Sequence, residues 1–248
     1  METTELFPYG YFVTRQYLLK QGLERYQLDN ALKQNKVYAL ARGVFARPDV
    51  PIEWQGLAAS LRKALDIPVY VGGLSALVEH GLAHYISFQP VVNLYSCTTK
   101  PSWFDKLDLD IAREWYSTAR IWDMEKLVAA KSLQEQTMHD ENWLLASPEQ
   151  AYIELLTQVP NTISFEQVDN IMQGLTSLSP KRLDALLHAC KHVLAKRLFF
   201  FFAERYQYPW FKKLNLSDYD LGAGKRMVAE AGKLNPTYNI TVPQEFYG

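Results

Sequence analysis

Cysteine is scarce in this chain of 248 residues: only Cys97 and Cys190 occur, far apart and without a Cys-x-x-Cys spacing. This scarcity excludes a disulfide-rich scaffold and favours reduced thiols in a cytoplasmic protein. Long apolar runs are also missing, since the longest, 198–203, falls well short of the ~18 residues that a membrane helix needs. The segment METTELFPYG lacks the basic and apolar regions of a signal peptide. We therefore expect a cytoplasmic protein that is not bound to a membrane.

The chain has almost no net charge, −1 at pH 7, but its charges are unevenly distributed. Residues 11–48 carry seven basic and two acidic side chains, residues 49–179 carry eight and seventeen, and residues 180–233 carry eleven and five. An acidic middle thus separates two basic ends. Because each phosphate contact releases counterions, the basic ends favour nucleic acid as a partner. At the C-terminal end, solvated surface charge is an equally good interpretation.

Two positions in the chain have the features of domain boundaries. Pro48 and Pro51 coincide with the reversal of charge, and Ser147 with Pro148 has the pattern of a helix N-cap and its first helical residue. Helical and strand patterns follow one another in mixed order, so the predicted fold class is α+β. We expect an N-terminal winged helix-turn-helix domain over 1–48 and a mixed α/β C-terminal domain over 49–248, with a further boundary near 146.

Beyond residue 48, hydrophobic periodicity predicts helices, and short β-branched or aromatic runs predict strands. The helices are expected at 54–65, 73–80, 148–158, 164–173 and, as one continuous stretch, 181–206. The strands are expected at 67–71, 91–97, within 107–122, at 226–228 and at 238–242. The four phenylalanines at 199–202 are expected in the core.

Residues 14–35 have the pattern of two short helices joined by a tight turn. Thr14 is a candidate N-cap for a helix over 15–21, with Leu18 and Leu19 turned inward. Gly22 permits the left-handed backbone that joins two steeply angled helices. The second helix is expected from about 25 to 35, and its inward stripe consists of Leu28, Ala31 and Leu32.

The opposite face of the second helix carries side chains that suit DNA. Amides pair with adenine edges, whereas lysine and arginine suit guanine or phosphate. Residues 37–41 and 44–46 then form two β-rich arms around Arg42 and Gly43, a wing whose tip can contact phosphate or the minor groove. The candidate DNA contacts are Arg25, Tyr26, Gln27, Asn30, Lys33, Gln34, Lys36, Arg42 and Arg47.

Basic residues of the C-terminal region form a second, weaker candidate set. The segment 222–226 (GAGKR) lacks the earlier glycine and the following Ser or Thr of a Walker loop, so nucleotide binding is not expected there. It is either a solvated loop or a contact to the DNA backbone. For the basic residues between 181 and 197, an exposed helix face is the simpler interpretation. The secondary DNA contacts under consideration are Lys181, Arg182, Lys196, Arg197, Lys225 and Arg226.

No catalytic residue, metal or cofactor is predicted. Two histidine pairs have i, i+4 spacing without an intervening glutamate, which favours structural histidines: His80/His84 and His188/His192. Asp105, Asp108 and Asp110 with Lys106 are the nearest match to a nuclease site, but their alternation with apolar residues favours a half-exposed strand. A metal-dependent enzyme with its site within 51–248 stays an alternative, as does a winged helix that binds another protein.

Short motifs along nearly the whole chain resemble, in their order, those of the AbiEi-type antitoxins of type IV toxin–antitoxin and phage-defence systems. The N-terminal motif is VTRQYLLKQGL followed by LDNALKQNKVYALARGVFAR. The others are WQG at 54–56, PVYVGGLSAL at 68–77, GLAHY at 81–85, PSWF at 101–104, ASPEQA at 146–151, KRLF at 196–199, LGAGKR at 221–226 and YNITVP at 238–243. The chain departs from the family pattern at Asn35-Lys36-Val37, which replaces a glycine-containing entry to the wing.

This resemblance implies a bifunctional, non-catalytic protein. The N-terminal winged helix of such antitoxins binds operator DNA and represses the shared operon, so the protein is a transcriptional autorepressor. The C-terminal region supplies antitoxicity and contributes to DNA binding. The implied partners are double-stranded operator DNA and a co-encoded nucleotidyltransferase-like toxin, whose effect is countered without a stable complex.

Overall fold

The computed structural model describes residues 6–66, 68–83, 90–138, 140–229 and 232–247. They divide into two compact units, each assembled from separate stretches of the chain. Unit 1 draws on 1–71, 89–116 and 135–145, and unit 2 draws on 72–88, 117–134 and 146–248. Together they contain the helices and strands of an α+β protein, which confirms the predicted fold class.

The helices and strands follow one another in mixed order. The helices are α1 (Arg15–Lys20), α2 (Arg25–Lys33), α3 (Trp54–Leu65), α4 (Gly73–Glu79), α5 (Met124–Ala130), α6 (Pro148–Leu156), α7 (Phe165–Gly174), α8 (Pro180–Ala189) and α9 (Val193–Tyr206). The strands are β1 (Phe12–Thr14), β2 (Tyr38–Ala41), β3 (Val44–Ala46), β4 (Val69–Val71), β5 (Val92–Ser96), β6 (Arg113–Ser117), β7 (Leu133–Met138), β8 (Glu141–Ala146), β9 (Arg226–Met227), β10 (Lys233–Asn235) and β11 (Ile240–Val242).

Unit 1 begins with a winged helix-turn-helix built from β1, α1, α2, β2 and β3. Its sheet has the order β1-β3-β2, and both strand pairs are antiparallel. β1 was not expected from the sequence. It stands where a preceding helix is usual in this fold, and α3 packs against it. The backbone amide of Phe12 donates to Ser60 Oγ of α3 at 2.9 Å, so a buried hydroxyl fixes the strand to the helix.

One hydrophobic cluster holds the helix-turn-helix together. Its buried members come from β1, α1, α2 and β3, from the turns between these elements and from the segment before them: Phe7, Val13, Leu18, Leu23, Leu28, Ala31, Val37 and Phe45. Since fully burying a Val, Leu or Phe side chain contributes about 1.5–3 kcal/mol, this cluster fixes the orientation of α1 and α2. Leu18 is in the cluster, but the expected inward position of Leu19 is wrong, because that side chain is 45 % exposed.

A five-stranded sheet with the order β6-β5-β4-β8-β7 follows in unit 1. β4 pairs antiparallel with β5 and parallel with β8. The sequence pattern did not indicate β7 or β8. The expected half-exposed strand through Leu107, Leu109 and Ile111 is also wrong: this segment is an irregular loop after a short 3-10 turn at Phe104–Lys106, and strand β6 begins only at Arg113.

Unit 2 is mainly helical, with α6 packed against α4, α8 and α9. Ser147 caps α6 and Pro148 is its first residue, as predicted. The fully buried Glu154 carboxylate accepts from Trp122 Nε1 and the Gly73 amide at 3.1 Å each and from Gln150 Nε2 at 2.8 Å. A small sheet with the order β10-β11-β9 completes the unit, and β10 was not predicted.

The continuous helix expected over 181–206 is instead two helices. α8 ends at Ala189, residues 190–192 are non-helical, and α9 begins at Val193. The His192 side chain accepts from the Ala195 amide at 3.1 Å, so it caps the new helix. The four phenylalanines at 199–202 are buried, which confirms that they belong to the core. Of the histidines, His84 and His139 lie outside the described residues.

Candidate nucleic-acid interface

The turn between α1 and α2 is formed by local caps. Thr14 Oγ1 accepts from the Tyr17 amide at 3.2 Å at the start of α1. Gly22 follows α1 with φ +85°, and the Leu23 amide returns to the Leu18 carbonyl at 3.0 Å. This backbone conformation favours glycine, because a Cβ is strained there. These contacts confirm the predicted cap and turn glycine.

Helix α2 has one buried and one exposed side. Leu28 and Ala31 are 3 % and 4 % exposed, and Leu32 packs against the same cluster. The predicted contact residues on the opposite side are exposed: Arg25, Tyr26, Asn30, Lys33 and Gln34. Among the described residues of unit 1, Tyr26 is the most exposed large hydrophobic side chain, at 60 % exposure. Helical geometry therefore gathers two cations, two amides and one aromatic ring on a single outward face.

Gln27 differs from the other residues of this candidate face. Its side-chain oxygen accepts from the Glu24 amide at 2.9 Å, and the side chain is only partly exposed. The hydrogen bond satisfies an amide at the helix start, as in a capping box. Gln27 thus has a structural task that the sequence pattern did not reveal. A capping box is usually recognised by Ser or Thr at the N-cap, and here the N-cap residue is Glu24.

The wing consists of β2, β3 and the turn at Arg42-Gly43. Gly43 has φ +81°, as the predicted tight turn requires, and its carbonyl accepts from the Arg15 amide at 2.8 Å. Asn35 precedes the wing with φ +55°, so an asparagine adopts the left-handed conformation at the entry to the wing. Arg42 and Lys36 are exposed. Their charges are thus available at the wing tip and at its entry.

Arg47 is held by neighbouring side chains. Its guanidinium donates two hydrogen bonds to Asp49 at 3.1 and 2.9 Å and lies 3.7 Å from the centroid of the Tyr9 ring. These hydrogen bonds raise the pKa of Arg47 and lower that of Asp49. The pairing partly neutralises Arg47, which makes it a weaker candidate for DNA than Arg42 or Lys36.

The secondary set of basic residues separates into exposed and buried members. Lys181, Lys225 and Arg226 are exposed, and Arg182 forms a 3.1 Å ion pair with the buried Glu149. Lys196 and Arg197 are 5 % and 1 % exposed. The prediction that Lys196 and Arg197 lie on an exposed helix face or contact phosphate is therefore wrong. α9 is buried on all sides in this stretch, so its basic residues are enclosed as well.

The aspartates and histidines considered for an alternative enzymatic function are not arranged, among the described residues, as in a metal centre. Within the part of the chain that the structure describes, no group of three or more His, Cys, Asp or Glu side chains is placed to hold a metal ion. Asp105 pairs with Lys100 at 2.7 Å, and Asp108 and Asp110 are exposed. Cys97 is exposed and free, and Cys190 is buried and free. Across the described residues, no helix is both long and apolar enough to cross a bilayer.

Two family models match almost the entire chain. Residues 2–88 match a family described as "Transcriptional regulator, AbiEi antitoxin N-terminal domain", and residues 89–243 match one described as "Transcriptional regulator, AbiEi antitoxin, Type IV TA system". Among solved structures, the crystal structure of the RV2827C protein from Mycobacterium tuberculosis is similar in fold, with a TM-score of 0.52 and 16 % identity. The similarity covers 93 % of this chain and 85 % of that chain. No curated protein matches the chain.

Proposed function

Because the chain belongs to the AbiEi antitoxin family of transcriptional regulators in type IV toxin–antitoxin systems, we propose that it is an autorepressor that binds its own operator. In this proposal α2 enters the major groove of double-stranded DNA, and the wing contacts the flanking backbone. The observation that carries it is the orientation of α2: its apolar stripe is buried, while Tyr26, Asn30 and Lys33 are exposed together.

The contacts divide by chemistry into base-specific and backbone contacts. Asn30 offers an amide that can pair with adenine in both directions, and Lys33 and Arg25 suit guanine or phosphate. Lys36 and Arg42 lie outside the exposed face of α2, so they supply backbone contacts that hold the register. Gln27 helps by capping the helix, and Arg47 by bracing the segment after β3.

Operator titration of single variants tests the assignment. Asn30→Ala should weaken operator binding by about 1–3 kcal/mol and relax the preference at one base pair. Lys36→Ala should weaken all duplexes about equally and reduce the salt slope by about one. The matched controls are Gln173→Ala and Lys126→Ala, an exposed amide and an exposed lysine on helices α7 and α5. Wild-type affinity and salt slope in both test variants would refute the assignment.

We also propose that the protein counters a co-encoded toxin of the nucleotidyltransferase type, and that it is not an enzyme. The description of its family supports an antitoxin role. The test is growth after co-expression with the neighbouring gene, combined with size-exclusion chromatography of both proteins. Restored growth without a co-eluting complex is expected. Continued growth arrest would contradict the antitoxin role, and a stable complex would contradict neutralisation without binding.

A further inference from the structure

The segment LGAGKR at 221–226 has a geometry that operator binding by α2 does not explain. The buried guanidinium of Arg197 donates to four carbonyl oxygens around it: Leu221 at 2.7 Å, Gly222 at 2.9 Å, Gly224 at 2.6 Å and Asn239 at 3.1 Å. Three of the four acceptors belong to the segment itself. A single buried side chain therefore holds the carbonyls of residues 221, 222 and 224 toward the interior of unit 2.

The amides of the same loop remain open. Gly222 and Gly224 have φ +62° and +77°, a left-handed conformation in which a Cβ would be strained. The Gly222 amide donates to Asp220 Oδ1 at 2.7 Å, and the Arg226 amide donates to the Asn239 carbonyl at 2.9 Å. Three amides lie between those of Gly222 and Arg226. Within the described chain, none of these three, the amides of Ala223, Gly224 and Lys225, donates a hydrogen bond to a protein acceptor. Residues 222–226 are all exposed, so these donors are open to an external anion.

Positive charge is concentrated at this loop. Lys225 and Arg226 are exposed, and the Arg226 guanidinium lies 3.8 Å from the position that a Cβ would take on Gly224. Burial lowers the pKa of Arg197, and repulsion from Arg226 lowers it further, while Asp220 partly offsets both. Three cations thus face one nearby carboxylate, and an anion at the open amides would relieve their repulsion.

We propose that residues 222–226 form a phosphate-binding loop. The backbone amides of Ala223, Gly224 and Lys225 donate to the phosphate oxygens, and the side chains of Lys225 and Arg226 neutralise the charge. Arg197 is a positioning residue, since it holds the carbonyls inward and does not reach the surface. The phosphate belongs either to a nucleic-acid backbone or to a free nucleotide. The proposal does not rest on operator binding by α2.

The direct test is an amide-resolved NMR titration of the full-length protein with inorganic phosphate, against chloride at equal ionic strength. Saturable shifts at the amides of 223–225 are expected, and Lys225→Ala/Arg226→Ala should weaken that binding about tenfold or more. The matched control is Lys212→Ala/Lys213→Ala, a neighbouring pair of exposed lysines in unit 2. Equal shifts with phosphate and chloride, or equal weakening in both double variants, would overturn the proposal.

Two further arms identify the source of the phosphate. If it is nucleic acid, the Lys225/Arg226 double variant should lose about two units of the salt slope for duplex DNA, in an Asn30→Ala background as well. If it is a nucleotide, a nucleoside triphosphate should bind the loop more tightly than phosphate does, with duplex affinity unchanged. Binding of inorganic phosphate with no competition from either duplex or nucleotide marks an adventitious ion only, and overturns the proposal.

Discussion

The backbone amide of Asp108 donates to the carbonyl oxygen of Leu40 at 2.9 Å, which attaches a loop from the middle of the chain to the wing. Leu40 lies in β2, one of the two edge strands of the winged-helix sheet, and the loop satisfies one carbonyl of that edge. The Arg113 guanidinium fixes the loop by donating to the carbonyls of Phe104, Leu107 and Ile111 at 2.9 Å each. The contact places the Asp108 carboxylate beside a surface that we assign to DNA.

Asp108→Asn should strengthen DNA binding. Among the described residues Asp108 has no ion-pair partner. The pKa of Tyr38 on the wing is raised mainly by burial and, to a lesser degree, by the negative charge of Asp108. Removing its charge should increase affinity for duplex DNA about two- to fivefold at low salt, and less at high salt because exposed charges are screened. Mobility-shift titrations at two salt concentrations measure this. Asp140→Asn, an exposed aspartate in the β7–β8 turn, is the control. Equal or weaker binding by Asp108→Asn would count against the assignment of the wing.

Asn35 should tolerate glycine but not a β-branched residue. Its backbone has φ +55°, and its side chain is exposed, so conformation and not packing determines the outcome. Asn35→Val should destabilise unit 1 by about 1–2 kcal/mol, because L-residues with a Cβ are strained in this region. Asn35→Gly should stay close to wild type. Urea unfolding of both variants provides the comparison, and equal midpoints for the two would contradict the left-handed conformation.

The motif itself could be predicted from sequence because its signals are local. Thr14, Gly22 and Gly43 each act within three residues of their own position, through a cap or a turn. The inward stripe of α2 follows from helical spacing alone. Strand β1 could not be predicted in this way, since its three residues acquire their partners only when β3 returns to them.

Most of the other sequence-based predictions that the structure contradicts also concern contacts between distant residues. An arginine beside a lysine is typical of an exposed surface, so the sequence pattern favours exposure of Arg197. Its burial is favourable only because four carbonyls that come later in the chain, between residues 221 and 239, accept its hydrogen bonds. Asp108 has its partner Leu40 far back in the chain, which no periodicity could indicate. The break at residues 190–192 was hidden because the apolar spacing continues across it, although His192 is a capping residue. The boundary placed at residue 48 stays a prediction.

The two cysteines should differ sharply in reactivity. Cys97 is exposed, whereas burial raises the pKa of the Cys190 thiol to about 11. Since only the thiolate is nucleophilic, about one Cys190 in a thousand is reactive at pH 8 even before steric protection is considered. A thiol-reactive chromophore should therefore label one site quickly in the native protein and a second only in denaturant. Cys97→Ser should remove the fast phase, and a fast phase that survives this change would contradict the burial of Cys190.

The His192 cap should make unit 2 sensitive to mild acid. Nδ1 of His192 accepts from the Ala195 amide at 3.1 Å, and burial lowers the pKa of this histidine below its ordinary value of 6.5. The unfolded chain therefore binds the proton more strongly than the folded one. The stabilisation is present above pH 6.5 and is lost as the pH falls through the lowered folded pKa. Protonation also removes the acceptor and places a positive charge at the positive end of the α9 dipole.

His192→Asn should remove this sensitivity, because asparagine is a good N-cap and does not titrate. Between pH 7.5 and pH 5 the wild-type Tm should fall on the order of 2–4 °C more than the Tm of the variant. Thermal unfolding at both pH values measures the difference. His188→Asn serves as the control, since that histidine is exposed on α8 and should leave the acid sensitivity in place. If wild type and His192→Asn lose stability in parallel, the neutral histidine cap is not the origin of the pH dependence.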